Sequence, residues 1–149
     1  ATGDNPHQLG LIGRAPAWSP DGTQLAFMSN RTGLWNIYLY RFASGQTTQL
    51  TNCDTNCRWP AWSPDGQSII FNTSTKPTNT EAAAIWIIPA SGGSPTTLVS
   101  DQNPGRPSWS ASGRIVFNSK LGIESMNANG SNRTLWIPGI ENWAPHWSN

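Results

Sequence analysis

The chain has 149 residues, of which 11% are charged, and its formal net charge is +1. That balance lacks the basic excess that binding to nucleic acid or an anionic membrane surface requires, so neither is expected as a partner. Nine tryptophans argue for a packed fold over a disordered one, and no apolar run reaches the roughly 18–20 residues that span a bilayer.

The first residues, Ala1 to Pro6, show no charged-then-apolar leader. They suit a mature N-terminus left after cleavage, and a cloned fragment would look the same. His7 to Leu11 reads as a short strand. Ala15-Pro16-Ala17-Trp18 reads as another, ended by Ser19-Pro20-Asp21-Gly22. There Pro20 presets φ for the second position of a turn and Asp-Gly completes it. Gln24 to Met28 is a run of apolar and aromatic residues suited to a buried strand. A polar loop from Ser29 to Asn36 leads to a third strand, Ile37 to Tyr40. A turn at Ala43-Ser44-Gly45 then leads to a polar fourth strand, Thr47 to Thr51, which suits an edge facing water.

The same order returns twice. Trp59-Pro60-Ala61-Trp62-Ser63-Pro64-Asp65-Gly66 opens a second unit, with strands at Ser68–Asn72, Ile85–Ile88 and Pro95–Val99 and a longer loop from Thr73 to about Ala83. Arg106-Pro107-Ser108-Trp109-Ser110-Ala111-Ser112-Gly113 opens a third, without the Pro-Asp pair. Its strands are Arg114–Asn118, Ile123–Met126 and Asn132–Trp136. The chain closes on a further first strand, Trp143 to Trp147. No helix is predicted, since Thr80 to Ala84 is too short to stand as one. Trp18, Trp62, Trp109 and Trp147 thus recur at intervals of roughly 40–50 residues, the period of a propeller blade.

The expected fold is an all-β propeller of four-stranded antiparallel blades. One repeat domain spans 1–149, with blades at about 14–57, 58–104 and 105–142 and end strands at about 7–13 and 143–149. The run Pro-x-Trp-Ser-Pro-Asp-Gly, then Leu25-Ala26-Phe27-Met28-Ser29-Asn30-Arg31, then Ile37-Tyr38, then Leu50-Thr51 resembles the TolB-type β-propeller repeat. The resemblance covers nearly the whole chain. It departs at Ser110 to Gly113 and at Glu124, where an aromatic is usual. It implies a toroid of blades around a channel, and familiar members have six or more. Three blades cannot close the usual ring of ~4–8, so closure by a second copy is expected, giving six blades as a homodimer. The chain's being a piece of a longer one is the alternative.

Trp18, Trp62, Trp109 and Trp147 are expected to fill the wedges between blades. Asp21 and Asp65 read as turn formers, since calcium would need several more oxygen ligands converging. Cys53 and Cys57 suit a small local disulfide in an oxidising compartment, secreted or periplasmic, with two free thiols as the alternative. Zinc is not expected, because no second pair of ligands accompanies them. No metal or cofactor is expected, and no catalytic constellation is present, so the chain is not expected to be an enzyme. Candidate ligand contacts lie just upstream of each motif tryptophan: Arg14, Arg58, Trp59, Arg106 and Trp143. Arg31 and Trp35, with Lys76 and Lys120, lie in loops that share that face. Tryptophan offers a flat apolar surface and arginine a fixed fork of donors. The bland alternative is that these arginines bridge to carbonyls and the tryptophans cap the core. Trp86 and Trp136 are expected to pack or cover edges.

The expected function is therefore a multivalent carbohydrate-binding lectin, with a glycan or protein as ligand. The family resemblance implies instead a protein-interaction scaffold, and a propeller from a larger peptidase-like protein is the third reading.

Overall fold

The computed structural model describes residues 10–74, 84–139 and Pro145. Among these residues twelve strands fall into three four-stranded antiparallel sheets, each in sequential order. The first blade is β1 (Arg14–Trp18), β2 (Gln24–Thr32), β3 (Leu34–Arg41) and β4 (Gln46–Gln49). The second is β5 (Asn56–Trp62), β6 (Ser68–Ser74), β7 (Ala84–Pro89) and β8 (Thr96–Val99). The third is β9 (Gly105–Trp109), β10 (Arg114–Ser119), β11 (Gly122–Asn127) and β12 (Thr134–Pro138). No helix occurs among the described residues.

The repeat holds in register as well as in order. Trp18 pairs with Leu25, Trp62 with Ile69 and Trp109 with Ile115. Phe27 pairs with Tyr38, Phe71 with Trp86 and Phe117 with Glu124. The turn after each motif tryptophan is built alike. Ser19 Oγ donates to Asp21 Oδ1 at 2.6 Å, and Gln24 N donates back to Ser19 Oγ at 2.9 Å. Hydrogen bonds from Ser19 and Thr23 hold the Asp21 carboxyl below its ordinary pKa, and Ser63 and Gln67 do the same for Asp65. In the third blade Ser112 stands in for the aspartate, 2.9 Å from Ser110 Oγ. Gly22, Gly66 and Gly113 close these turns at φ 71, 70 and 80°.

Two cores join the blades. Ala26, Met28, Ile37 and Leu39 meet Trp62, Ile69, Phe71 and Ile88 between the first and second. Ile70, Ile85 and Val99 meet Ile115, Phe117 and Met126 between the second and third. β5 packs on β1, β2 and β3, and β9 on β5, β6 and β7, whereas no strand of the third blade packs on the first. The three blades therefore form an open fan.

The structure differs from the sequence reading in three places. The polar loop expected from Ser29 to Asn36 is mostly strand, because Gly33 (φ 105°) turns the chain tightly. Asn36 can be buried there because its Oδ1 accepts from Thr51 Oγ1 at 3.0 Å and Cys53 N at 2.9 Å. Of the strand expected at His7 to Leu11, Gly10 and Leu11 are described and are not in a strand. A fourth strand needs a third strand beside it, and no described residue before Arg14 forms one. Instead the segment crosses Phe27: a Cβ on Gly13 would lie 2.3 Å from Phe27 Cδ2. The strand expected at Trp143 to Trp147 lies outside the described residues except for Pro145. Finally, Trp18 occupies the motif position but is 60% exposed, because among the described residues no blade stands on its far side. It stacks on Phe42 instead, with ring centroids 4.9 Å apart.

Candidate functional site at the inner strands

The innermost strands β1, β5 and β9 share one irregularity. Ala15, Trp59 and Arg106, each three residues before the motif tryptophan, have φ of 49, 54 and 42°. Each precedes a proline: Pro16, Pro60 or Pro107. Proline cannot donate to the ladder, so a strand that contains it bulges there. The pairing registers break at these places, between Arg14 and Ala17, between Arg58 and Ala61, and opposite Gly105 to Ser108. A positive φ at a residue other than glycine costs of order 1–3 kcal/mol and persists only where surrounding structure enforces it. A bulge re-aims side chains, and here it does so at one place in all three blades.

These bulges and their prolines line a cavity of about 500 Å³, together with Trp18, Trp62, Trp109 and Pro145. Its described wall is apolar apart from Ser108 and Arg106, which is its single charged residue. The Arg106 guanidinium lies 4.7 Å from the centre of the Trp59 ring. The cavity thus offers a broad aromatic and proline surface with one fixed cation set into it.

The remaining candidates separate from this pair. Arg14 and Arg58 both approach Trp35, at 5.5 and 5.9 Å from the ring centre. Trp35 packs against the first core, and its backbone N–H donates to Asn56 Oδ1 at 3.3 Å. Arg58 is 2% exposed, and burial lowers its pKa. Buried beside Trp35 of the first blade, it lacks the exposure that the expected ligand contact would have. Arg14, at the same repeat position, is exposed. Arg31 lies 5.5 Å from the Phe27 ring and 4.5 Å from the Tyr38 ring, and donates to Ile12 O at 3.2 Å. It stands on β2, which runs on into the range expected to be loop. Trp62 donates from Nε1 to Ala17 O at 3.0 Å, bolting the second blade to the first. Trp109 lines the cavity. Trp136 is exposed on β12 and donates to Ser125 Oγ at 2.8 Å. Trp143, Trp147 and Lys76 lie outside the described residues.

Ala15 and the three prolines form the site through backbone shape and carry no chemically active side chain. The signal available was a proline inside each predicted inner strand, which marks a bulge. Cys53 and Cys57 are joined by a disulfide, with Cα atoms 6.2 Å apart. Among the described residues no group of three or more His, Cys, Asp or Glu is placed to hold a metal ion.

Comparison with known proteins places this geometry in a family. The chain is 48% identical over 42 residues to the protein TolB homolog of Protochlamydia amoebophila, a stretch that is 28% of this chain and 9% of that protein. It superposes on a protein assigned as TolB from Agrobacterium tumefaciens with a TM-score of 0.72 and 26% identity, covering 83% of this chain and 48% of that one. TolB from Acinetobacter baumannii gives a TM-score of 0.65 and 25% identity, covering 89% of this chain and 34% of that one. The chain therefore spans less than half the length of each of these relatives. The TolB beta propeller domain model matches residues 7–149, which leaves no blade outside it: the chain belongs to the TolB β-propeller family.

Proposed function

We propose that the chain is a non-catalytic protein-binding module that receives an extended segment of its partner at the inner-strand cavity. The observation that carries this reading is the Arg106–Trp59 stack set in an apolar wall. Apolar and aromatic side chains of a peptide suit the tryptophan and proline surface, and a carboxylate suits the one guanidinium. Membership of the TolB family supports protein recognition over sugar recognition. The tryptophans on which the glycan expectation rested are also partly occupied. Trp59 is approached by Arg106, and Trp35 by Arg14 and Arg58, which leaves less free ring for a sugar. The disulfide favours a compartment outside the reducing cytoplasm, the periplasm or beyond.

The test is capture of protein partners from an envelope extract by the intact chain and by two variants. Trp59→Ala and Arg106→Glu are each expected to weaken capture of the same partner by about tenfold or more, as central aromatic and arginine contacts do. Melting temperatures should stay close to the parent's. If free oligosaccharides compete the partner away, or if the chain binds a glycan array, the lectin reading replaces this one.

We further propose that the exposed face around Trp18, Phe42 and Tyr40 receives another blade, supplied by a second copy. Trp62 meets its neighbour through the same repeat position, so the exposed face continues an interface already built within the chain. A solution mass twice the 16.2 kDa of one chain is expected, and a strict monomer at high concentration would refute it.

A further inference from the structure

The aromatic position of the second strand is covered differently in each blade. In the first, Arg31 lies over Phe27 and its partner Tyr38. In the third, Arg133 lies 5.4 Å from the Phe117 ring and pairs with Glu124, which faces Phe117 across the strands. Asp101, in the connection between β8 and β9, holds the same guanidinium from the other side. In the second blade Phe71 faces Trp86, and among the described residues no guanidinium or ammonium lies over either ring. A cavity of about 390 Å³ opens there instead. Phe71 and Trp86 form part of its wall. Thr51, Asp54 and Thr55 come from the connection between β4 and β5, the counterpart of the one that carries Asp101. The disulfide between Cys53 and Cys57 fixes that connection. Trp86 Nε1 is buried and has no acceptor. None of the lining residues belongs to the inner-strand cavity.

We infer that this cavity is a second binding site, which takes the arginine side chain of a partner polypeptide. The guanidinium takes the place on the aromatic pair that Arg31 and Arg133 take in the other blades, stacking on the half-buried Trp86 because Phe71 is itself fully buried, with Asp54 as its counter-charge. A planar guanidinium stacks on an aromatic face where an ammonium is more strongly hydrated, and both filled positions use arginine. The arginine's own backbone carbonyl supplies the acceptor that Trp86 Nε1 lacks. The volume lies within the roughly 300–1,000 Å³ of small-ligand sites.

The probe is N-acetyl-arginine methylamide, titrated into the full oxidised chain with nitrogen-15-labelled indoles. A saturable shift of the Trp86 indole resonance is expected in the millimolar range that one side chain can reach. The citrulline analogue, equal in length but uncharged, should bind at least about tenfold more weakly. Asp54→Asn should weaken binding roughly 3- to 5-fold while leaving the fold intact, and Trp86→Leu, followed by titration calorimetry because the reporter indole is gone, should abolish it. Trp59→Ala should leave it unchanged, which separates this site from the inner-strand one. Any of three outcomes overturns the inference: no saturation, equal binding of citrulline, or binding seen only in Lys76→Ala. The last would mean that the chain's own cation fills the cavity.

Discussion

Trp62→Ala is expected to cost about 3–5 kcal/mol in equilibrium unfolding, and Trp18→Ala about 1 kcal/mol or less, though both remove the same residue of the same motif. Trp62 is 7% exposed and sits in the core between the first two blades with Leu39, Ile69 and Phe71. Alanine there leaves a cavity the size of an indole and takes the donor from Ala17 O. Trp18 is 60% exposed and has Phe42 as its stacking partner. Among the described residues its wedge has one wall. Urea unfolding followed by far-ultraviolet circular dichroism, at low protein concentration, measures both. At high concentration the Trp18 variant should instead lose self-association, if a second copy covers that face. Equal costs for the two variants at low concentration would show that the motif tryptophan stabilises its own blade and does not join neighbours.

The blades were legible because each one solves the same packing problem. A tryptophan ends the inner strand, a Ser-Pro-Asp-Gly turn follows, and a phenylalanine pairs across the next hairpin. Those needs fall on residue identity, so they recur in sequence. The site was less legible because it depends on backbone shape and on neighbours. Ala15, Trp59 and Arg106 share no side-chain chemistry, yet they share a positive φ. Arg14 and Arg58 stand at one repeat position, yet one is exposed and the other is 2% exposed, so the repeat does not fix burial. Arg31 belongs to the loop only if β2 ends at Met28. The strand runs on to Thr32, since its polar residues find hydrogen-bond partners in the hairpin and in the segment before β1. Position in a repeat predicts the fold of a residue better than its exposure.

Glu124 shows the same limit from the other side. It reads as a departure from the repeat, a carboxylate where an aromatic belongs, and the sequence near it offers no reason. The reason is Arg133, which returns from the turn before β12 to bridge Glu124 and Asp101 over Phe117. Glu124 is 2% exposed, so Arg133→Leu should cost about 3–5 kcal/mol by leaving a buried carboxylate without its cation. The double variant Glu124→Leu, Arg133→Leu should recover most of that, since a well-packed apolar pair often replaces a buried ion pair without loss. The pH dependence separates this account from a simple packing defect. Burial alone pushes the Glu124 pKa up, but hydrogen bonds from Arg133 and Ser119 outweigh it, and the pKa lies below the ordinary 4.5. The stability Glu124 contributes is therefore complete above pH 4.5 and is lost as pH falls from there through its folded value. In Arg133→Leu the burial acts with far less opposition and the shift reverses. Protonation then relieves the penalty, so the variant's deficit should shrink as pH falls. Urea unfolding of both proteins between neutral pH and pH 3 tests this, about 1.5 units below that ordinary value. A deficit that stays constant across the range would mean that Arg133 contributes only its packing on Phe117.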